Sequence, residues 1–251
     1  MNREAADLAG VRHIAYETLG STNAEALARA RAGERGPLWI TAASQSAGRG
    51  RRGSTWVSAP GNLYATLLLS EPSPPEHAPQ LSFVAALALH DAIGECAPQI
   101  GPLLKVKWPN DLLLNGAKLA GILIEGEGDP TFSVAIGIGI NCAAHPDGMA
   151  FPATDLAAAG ALVTPAQALA VLSAAMYKRL DQWQRGQGFA GIRADWLKRA
   201  AGLGQEIHVR LPERELTGSF QGIDDAGHLL MVGASGVTTV TAGEVFGLGG
   251  N

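Results

Sequence analysis

Cysteine is scarce in this chain of 251 residues: Cys96 and Cys142 are the only two, and they are not in CxxC spacing. No pair among His13, His77, His90, His145, His208 and His228 has metal-ligand spacing either. A disulfide framework and a zinc site are thereby set aside. Charge is sparse as well, at 17% of residues, and the net charge of −4 leaves no basic excess for general nucleic-acid or membrane-surface binding. No apolar run is long enough to span a bilayer, and MNREAADLAG has acidic residues where a signal peptide carries basic ones. The expectation is a cytoplasmic protein. There is no internal repeat and no low-complexity tract, and hydrophobic residues at 47% suffice for one large core with room for a small second domain.

Glycine is plentiful, and at one place it is interleaved with arginine: Gly48, Gly50 and Gly53 alternate with Arg49, Arg51 and Arg52. Such glycines let backbone N–H groups approach phosphate oxygens, and the arginines bring permanent charge and forked donors. Three like charges with little side-chain packing are costly to order, which predicts a lid that closes on an anionic ligand. The string Gly48-x-Gly50-x-x-Gly53 matches the dinucleotide fingerprint, but that fingerprint opens a helix. Here TWVSAPGNLYATLLL turns at Pro60-Gly61 and continues as a strand. A P-loop requires lysine after its last glycine, where this chain has Ser54. An arginine patch for nucleic acid is the remaining alternative, and the overall charge weighs against it.

The rest of the chain frames this loop. A first strand is expected at 12–16, followed by an alanine-rich helix with Thr22 as cap and Glu25 as its capping-box partner. The hydroxyls at that helix start are also placed to receive a ligand's polar head. Residues 38–43 form a strand leading to Ser44 and Gln45, and residues 81–96 form a helix apolar around most of its circumference, hence buried. In 103–114, Lys105 and Lys107 fall on one face and Val106 and Trp108 on the other, predicting a cationic face opposite a core face. Pro109 breaks that strand and presents Asn110 and Asp111, and Asn115-Gly116 turns the chain into the strand AKLAGILIEG. Residues 131–141 alternate β-branched residues with Ala and Gly, which leaves one face flat enough to lie under a ligand. Thr164-Pro165 with Gln167 starts a long helix, a second helix covers 188–200, and Gly202 to Gly204 marks a domain boundary. Short strands near 207–211, 216–223, 229–232 and 237–241 then suggest a small barrel.

Four separated pieces occur in a telling order: STN at 21–23, GRGRRGSTW at 48–56, KWPND at 107–111 and KLAGIL at 118–123. Together they resemble the biotin protein ligases. The likeness extends to GNLY at 61–64, GIGIN at 137–141 and ATDL at 153–156. It implies an α+β fold, with a mixed β-sheet and helices in residues 1–201 and a small SH3-like barrel in 202–251. It also implies an enzyme that joins biotin to ATP as biotinyl-5′-adenylate and passes the biotinyl group to one lysine of a biotin carboxyl carrier domain. The C-terminal segment matches more loosely, in its short strands and the GEV at 243–245. Family members that repress transcription carry an N-terminal winged helix-turn-helix. With STN at position 21 there is no room for one, so a ligase-only form without a DNA partner is expected, and a homodimer through a sheet edge stays open.

Forming the adenylate brings a carboxylate onto the α-phosphorus of ATP, so the site must supply positive charge rather than a base. The resemblance implies biotin contacts from Ser21, Thr22, Asn23, Gln45, Gly48, Arg49, Gly50, Arg51, Lys118 and Gly121. For ATP or the adenylate it implies Arg49, Arg51, Arg52, Trp56, Lys107, Asn110 and Asn141. Arg51 and the loop backbone would cover the biotinyl phosphate, Lys107 would neutralise the ATP phosphates, and Lys118 would stabilise charge in both half-reactions. Asp111 is left with two roles, holding Mg²⁺ or accepting the proton of the incoming lysine. Trp56 is either a lid hinge or core, and Gly121 makes room for the biotin ring or tail. ATP and Mg²⁺ are the expected cosubstrates, with no tightly bound prosthetic group. Two rivals stand beside this. A lipoate or octanoate transfer protein typically carries an RRxSGGGxVxxD-type stretch, which is missing. A biotin sensor without turnover has no need of the charged loop and both lysines.

Overall fold

The computed structural model describes residues 3–8, 10–128, 131–148, 151–234 and 236–246. Eight strands form the main sheet: β1 (Arg3–Leu8), β2 (Val11–Leu19), β3 (Leu38–Gln45), β4 (Leu63–Ser70), β5 (Leu104–Lys107), β6 (Asp111–Leu114), β7 (Ala117–Glu127) and β8 (Ser133–Ile140). Their spatial order is β1-β2-β3-β4-β8-β7-β6-β5. Only β2 and β3 run parallel, so the sheet is mixed, as the fold class requires. β1 was not expected, and the strand expected at 12–16 is the centre of the longer β2.

Side-chain alternation divides the two faces of this sheet. Leu38 and Ile40 of β3 pack with Ala26 and Ala30 of α1 (Thr22–Arg31). Trp39 points the other way, where its indole N–H donates to Ser173 of α3 (Pro165–Trp183) at 2.9 Å. On that second face lies α2 (Leu81–Cys96), which has the bounds read from its composition and keeps Phe83 through Leu89 at 4% exposure or less. A helix apolar all round has little amphipathic preference of its own, so burial of its side chains holds it in place. The capping box of α3 forms as expected, with the Thr164 hydroxyl accepting from Gln167 N–H and Gln167 Oε1 accepting from Thr164 N–H at 2.9 Å. At α1 the cap is one residue earlier than expected. Ser21 is extended and caps Ala24 N–H, while Thr22 is already helical and Glu25 turns to Tyr16 and Arg29.

The Asn115-Gly116 turn has both residues left-handed, φ 48° and 82°, and so closes a tight hairpin between β6 and β7. After α4 (Phe189–Arg199) come five strands: β9 (Glu206–Arg210), β10 (Glu215–Ile223), β11 (Leu229–Gly233), β12 (Gly236–Val240) and β13 (Glu244–Phe246). They form an antiparallel sheet in the order β12-β11-β10-β9-β13, where the sequence suggested four strands of a small SH3-like barrel. β13 is only three residues long and gave no pattern to read. An aromatic row fixes this sheet to α4 and α2: Phe83 meets Trp196 at 5.4 Å and Trp196 meets Phe220 at 6.5 Å, both edge-on. Trp108 adds a hydrogen bond to Gly227 O at 3.0 Å. The attachment delivers Gly243, Glu244 and Val245 to a cleft on the α1 face of the main sheet.

Candidate active site

That cleft encloses about 490 Å³. Every residue expected at the site lines it except Gly48. Its floor is made by Gly121 of β7 and Gly139 of β8, which are cross-strand partners, with Gly137 beside them. Alternation sends Ile136, Ile138 and Ile140 into the core and leaves the glycines facing the cleft. The flat face expected for this strand is therefore present, but side chains lie on it. A Cβ on Gly137 would stand 2.4 Å from Asn23 Oδ1, and one on Gly139 would stand 2.5 Å from the Trp56 ring. Gly121 likewise makes room for Trp56, at 2.8 Å from an ideal Cβ, where the expectation was room for a ligand ring. Trp56 is thus not a buried core residue: it lies half-buried on the glycine floor with its ring nitrogen unpartnered.

The arginine loop folds into its own small hairpin. Gly50 N–H donates to Ser54 O at 2.7 Å and Trp56 N–H to Gly48 O at 2.9 Å. Gly48 and Gly50 serve this self-approach, since a Cβ would meet Trp56 O or Ser54 Oγ at 2.5 Å. The expectation was access of backbone to phosphate; the self-approach of the hairpin is a separate demand for glycine at both positions. At its tip Arg52 and Gly53 are left-handed, and Arg51 turns inward to donate to Gly243 O at 3.3 Å. Burial, and then the charge of Arg52, pull the Arg51 guanidinium below its usual pKa, against Asp111 and Glu244. Arg49 pairs with Glu125 at 3.0 Å.

Lys107 was expected on a cationic face with Lys105. Only Lys105 is exposed; Lys107 is 3% exposed, its ammonium 3.8 Å from the centre of the Phe151 ring and 5.9 Å from that of Phe246. Burial depresses its pKa most, Asp111 raises it, and Lys118 lowers it further. Asp111 stands between the two lysines, 2.7 Å from Lys118 Nζ and 3.8 Å from Lys107 Nζ. A register shift between β6 and β7 brings Lys118 to the same side as Gly121, with its Cε 3.4 Å from an ideal Cβ there. Two expected ligand contacts are otherwise engaged: the Asn110 amide donates to Ile122 O at 2.6 Å, and that of Asn141 to Thr154 O at 3.0 Å. Both hold backbone in place around the cleft.

Among the described residues no group of three His, Cys, Asp or Glu is placed to hold a metal ion. Asp111, with ammonium groups on both sides, does not fit a resident Mg²⁺ site. The cleft instead combines a glycine-floored slot with cations at one end, suited to a mostly apolar acid and a polyphosphate. Sequence reasoning missed Thr66 and Glu125 beneath the loop, Phe151 over Lys107, and Glu244 beside it. Thr66 sits inside an apolar strand and Phe151 in a loop without pattern, so only Glu125, two alternations beyond Gly121 on the same strand, carried any periodic signal.

The family model for the biotin/lipoate A/B protein ligases matches residues 21–141, and that for the biotin protein ligase C-terminal domain matches 202–247. The chain is 46% identical over 238 residues to a biotin--[acetyl-CoA-carboxylase] ligase of Paracoccus denitrificans, covering 90% of this chain and 96% of that one. This chain belongs to the biotin protein ligase family. Solved structures agree on the fold of these ligases. The biotin protein ligase of Aquifex aeolicus in complex with biotin and ATP has a TM-score of 0.79 at 25% identity, over 93% of this chain and 97% of that one. The Leishmania major biotin protein ligase with biotinyl-5-AMP gives 0.66 at 28%, over 91% and 98%. Within the family frame, the cleft described above joins the STN, GRGRRGSTW, KWPND and KLAGIL segments in one wall and adds the GEV segment from the second sheet.

Proposed function

We propose that this chain activates biotin with ATP to biotinyl-5′-adenylate and transfers the biotinyl group to a lysine of a biotin carboxyl carrier domain. The observation that carries the mechanism is the Lys107–Asp111–Lys118 row at the end of the glycine-floored slot. In the first step a biotin carboxylate oxygen bonds to the α-phosphorus, the α–β bridging bond breaks, and pyrophosphate leaves. No proton moves, so the work of the site is to offset repulsion between anions. Lys118 serves the carboxylate and α-phosphate, Lys107 the leaving phosphates, and Arg51 covers the product phosphate from the loop. In the second step the carrier amine attacks the acyl carbon, AMP leaves, and one amine proton must be taken up. Asp111 is the carboxylate nearest both lysines and is assigned to orienting them and to that proton; Mg²⁺ enters with the ATP phosphates as part of the substrate.

Biotin is assigned to the slot between Ser21, Thr22, Gln45 and Gly121, and the nucleotide to the side of Arg52, Phe151 and Glu244. Trp56 must shift from the floor, or share it, when biotin enters. Residues 1–201 are assigned to catalysis, and 202–251 to a domain that completes the nucleotide end of the cleft through Gly243 to Val245. The test is pyrophosphate release from Mg·ATP with biotin, lipoate or neither, followed by a biotin carboxyl carrier domain and mass detection of the acyl-lysine. Biotin-dependent release and a biotinyl-lysine are expected. Release with lipoate alone overturns the substrate, and biotin binding without pyrophosphate overturns the lysine roles.

A further inference from the structure

Glu125 lies outside the cleft lining, yet it touches both the floor and the arginine loop. Its Oε2 accepts from Asn23 Nδ2 at 2.8 Å and pairs with Arg49 at 3.0 Å. Asn23 is 2% exposed and cannot turn: its amide also donates to Leu123 O at 3.2 Å, and its Oδ1 accepts from the Thr66 hydroxyl at 2.7 Å. Thr66 Oγ1 is 2.8 Å from Thr22 Oγ1, and Thr22 N–H donates to Gln45 Oε1 at 2.9 Å. Gln45 then donates to Ser58 Oγ at 3.2 Å. The chain of contacts begins at Arg49 and ends at Ser58, so it leaves the loop at one end, runs along the lining of the slot through Asn23, Thr22 and Gln45, and returns to the loop at the other. Residues 50–57, with Arg51 and Trp56, are suspended between those two anchors.

We propose that Glu125 is a positioning residue: through Arg49 it sets the arginine loop over the slot, and through Asn23 it couples loop position to the packing of the slot floor. The proposal rests on the ligase assignment. Within this network Glu125 is the one carboxylate, and it meets a guanidinium on one side and a fixed amide on the other, so its charge is what distinguishes it from a neutral floor residue. Its side chain is 29% exposed and that of Arg49 46%, so solvent screens the pair and the effect is moderate. Replacing Glu125 loosens the loop anchor without removing any group assigned to phosphate or biotin.

The test compares wild type with Glu125→Gln, which keeps an acceptor for Asn23 but loses the charge, and with Arg49→Ala and the double variant. The expected result for Glu125→Gln is about a three- to tenfold faster dissociation of biotinyl-adenylate, a KM for biotin raised by a similar factor, and a first-step kcat changed less than about twofold. Amide hydrogen exchange of residues 46–57 should accelerate. The double variant should be no worse than Arg49→Ala alone, because one contact is removed in both. Restoring the charge with Glu125→Asp should recover part of the retention. Wild-type retention and exchange in Glu125→Gln, or losses that add in the double variant, overturn the proposal while leaving the ligase assignment intact. A wild-type protein that releases no pyrophosphate with biotin overturns both.

Discussion

The glycine floor yields a sharp test in Gly139→Ala. An ideal Cβ there stands 2.5 Å from Trp56 Cε2, 2.6 Å from Cζ2 and 2.8 Å from Nε1. Gly139 lies inside β8 without a positive φ, so the backbone accepts alanine, and alanine in a strand is favoured over glycine by about 0.5–1 kcal/mol. The methyl group therefore acts by displacing whatever lies on the floor. Trp56 belongs to a loop and is only half-buried, so it can leave at little cost to the fold; a change of less than about 1 kcal/mol in stability is expected. A ligand confined to the slot has no such exit and meets an overpacking cost of about 1–3 kcal/mol, which is roughly five- to 150-fold in affinity. The assay is the biotin KM for pyrophosphate release, measured beside a thermal melt. A raised KM with an unchanged melt is expected, and Trp56→Ala in the same background should not restore it. A wild-type KM in Gly139→Ala would refute the placement of biotin on the glycine floor.

Other outcomes follow from the same geometry. Lys107→Met should lose about 10²–10³ in first-step rate by removing a cation aimed at developing charge, yet change stability little at neutral pH, since a buried cation is removed while Asp111 keeps its closer partner Lys118 at 2.7 Å. Because burial depresses the Lys107 pKa, the unfolded chain binds more protons between that value and 10.5, and stability rises with pH through this window; melts of Lys107→Met across the window should lack that rise. Wild-type activity should decline as pH rises through the depressed value, before ordinary lysines titrate. Arg51→Gly should release biotinyl-adenylate and biotinylate unrelated lysines, read by mass spectrometry of a bystander protein; tight retention would remove its covering role. Asn62→Ala should lower stability by about 2–3 kcal/mol in chemical denaturation, because Asn62 Oδ1 accepts from Cys142, Ala143 and Ala144 N–H at 2.9, 2.9 and 3.2 Å. An unchanged denaturation midpoint would show that water replaces it.

What the sequence determined by itself lies within a few residues of chain. The Thr164-Gln167 capping box, the Asn115-Gly116 turn, the all-round apolar α2 and the ordered motif pieces each depend on local geometry or on a string that survives intact. Tertiary structure decided what covers each face. Alternation puts Lys105 and Lys107 on one side of β5 but cannot tell that Phe151, from a distant loop, and Phe246, from β13, close over only the second. It likewise leaves β8 with a flat face but cannot tell that Asn23 and Trp56 lie on it. Glu125 reads as an ordinary strand acid until the sheet sets it beside α1 and the arginine loop. Periodicity fixes the direction of a side chain, whereas burial, charge partners and pKa depend on which remote segment arrives there, and only the folded chain brings those segments together.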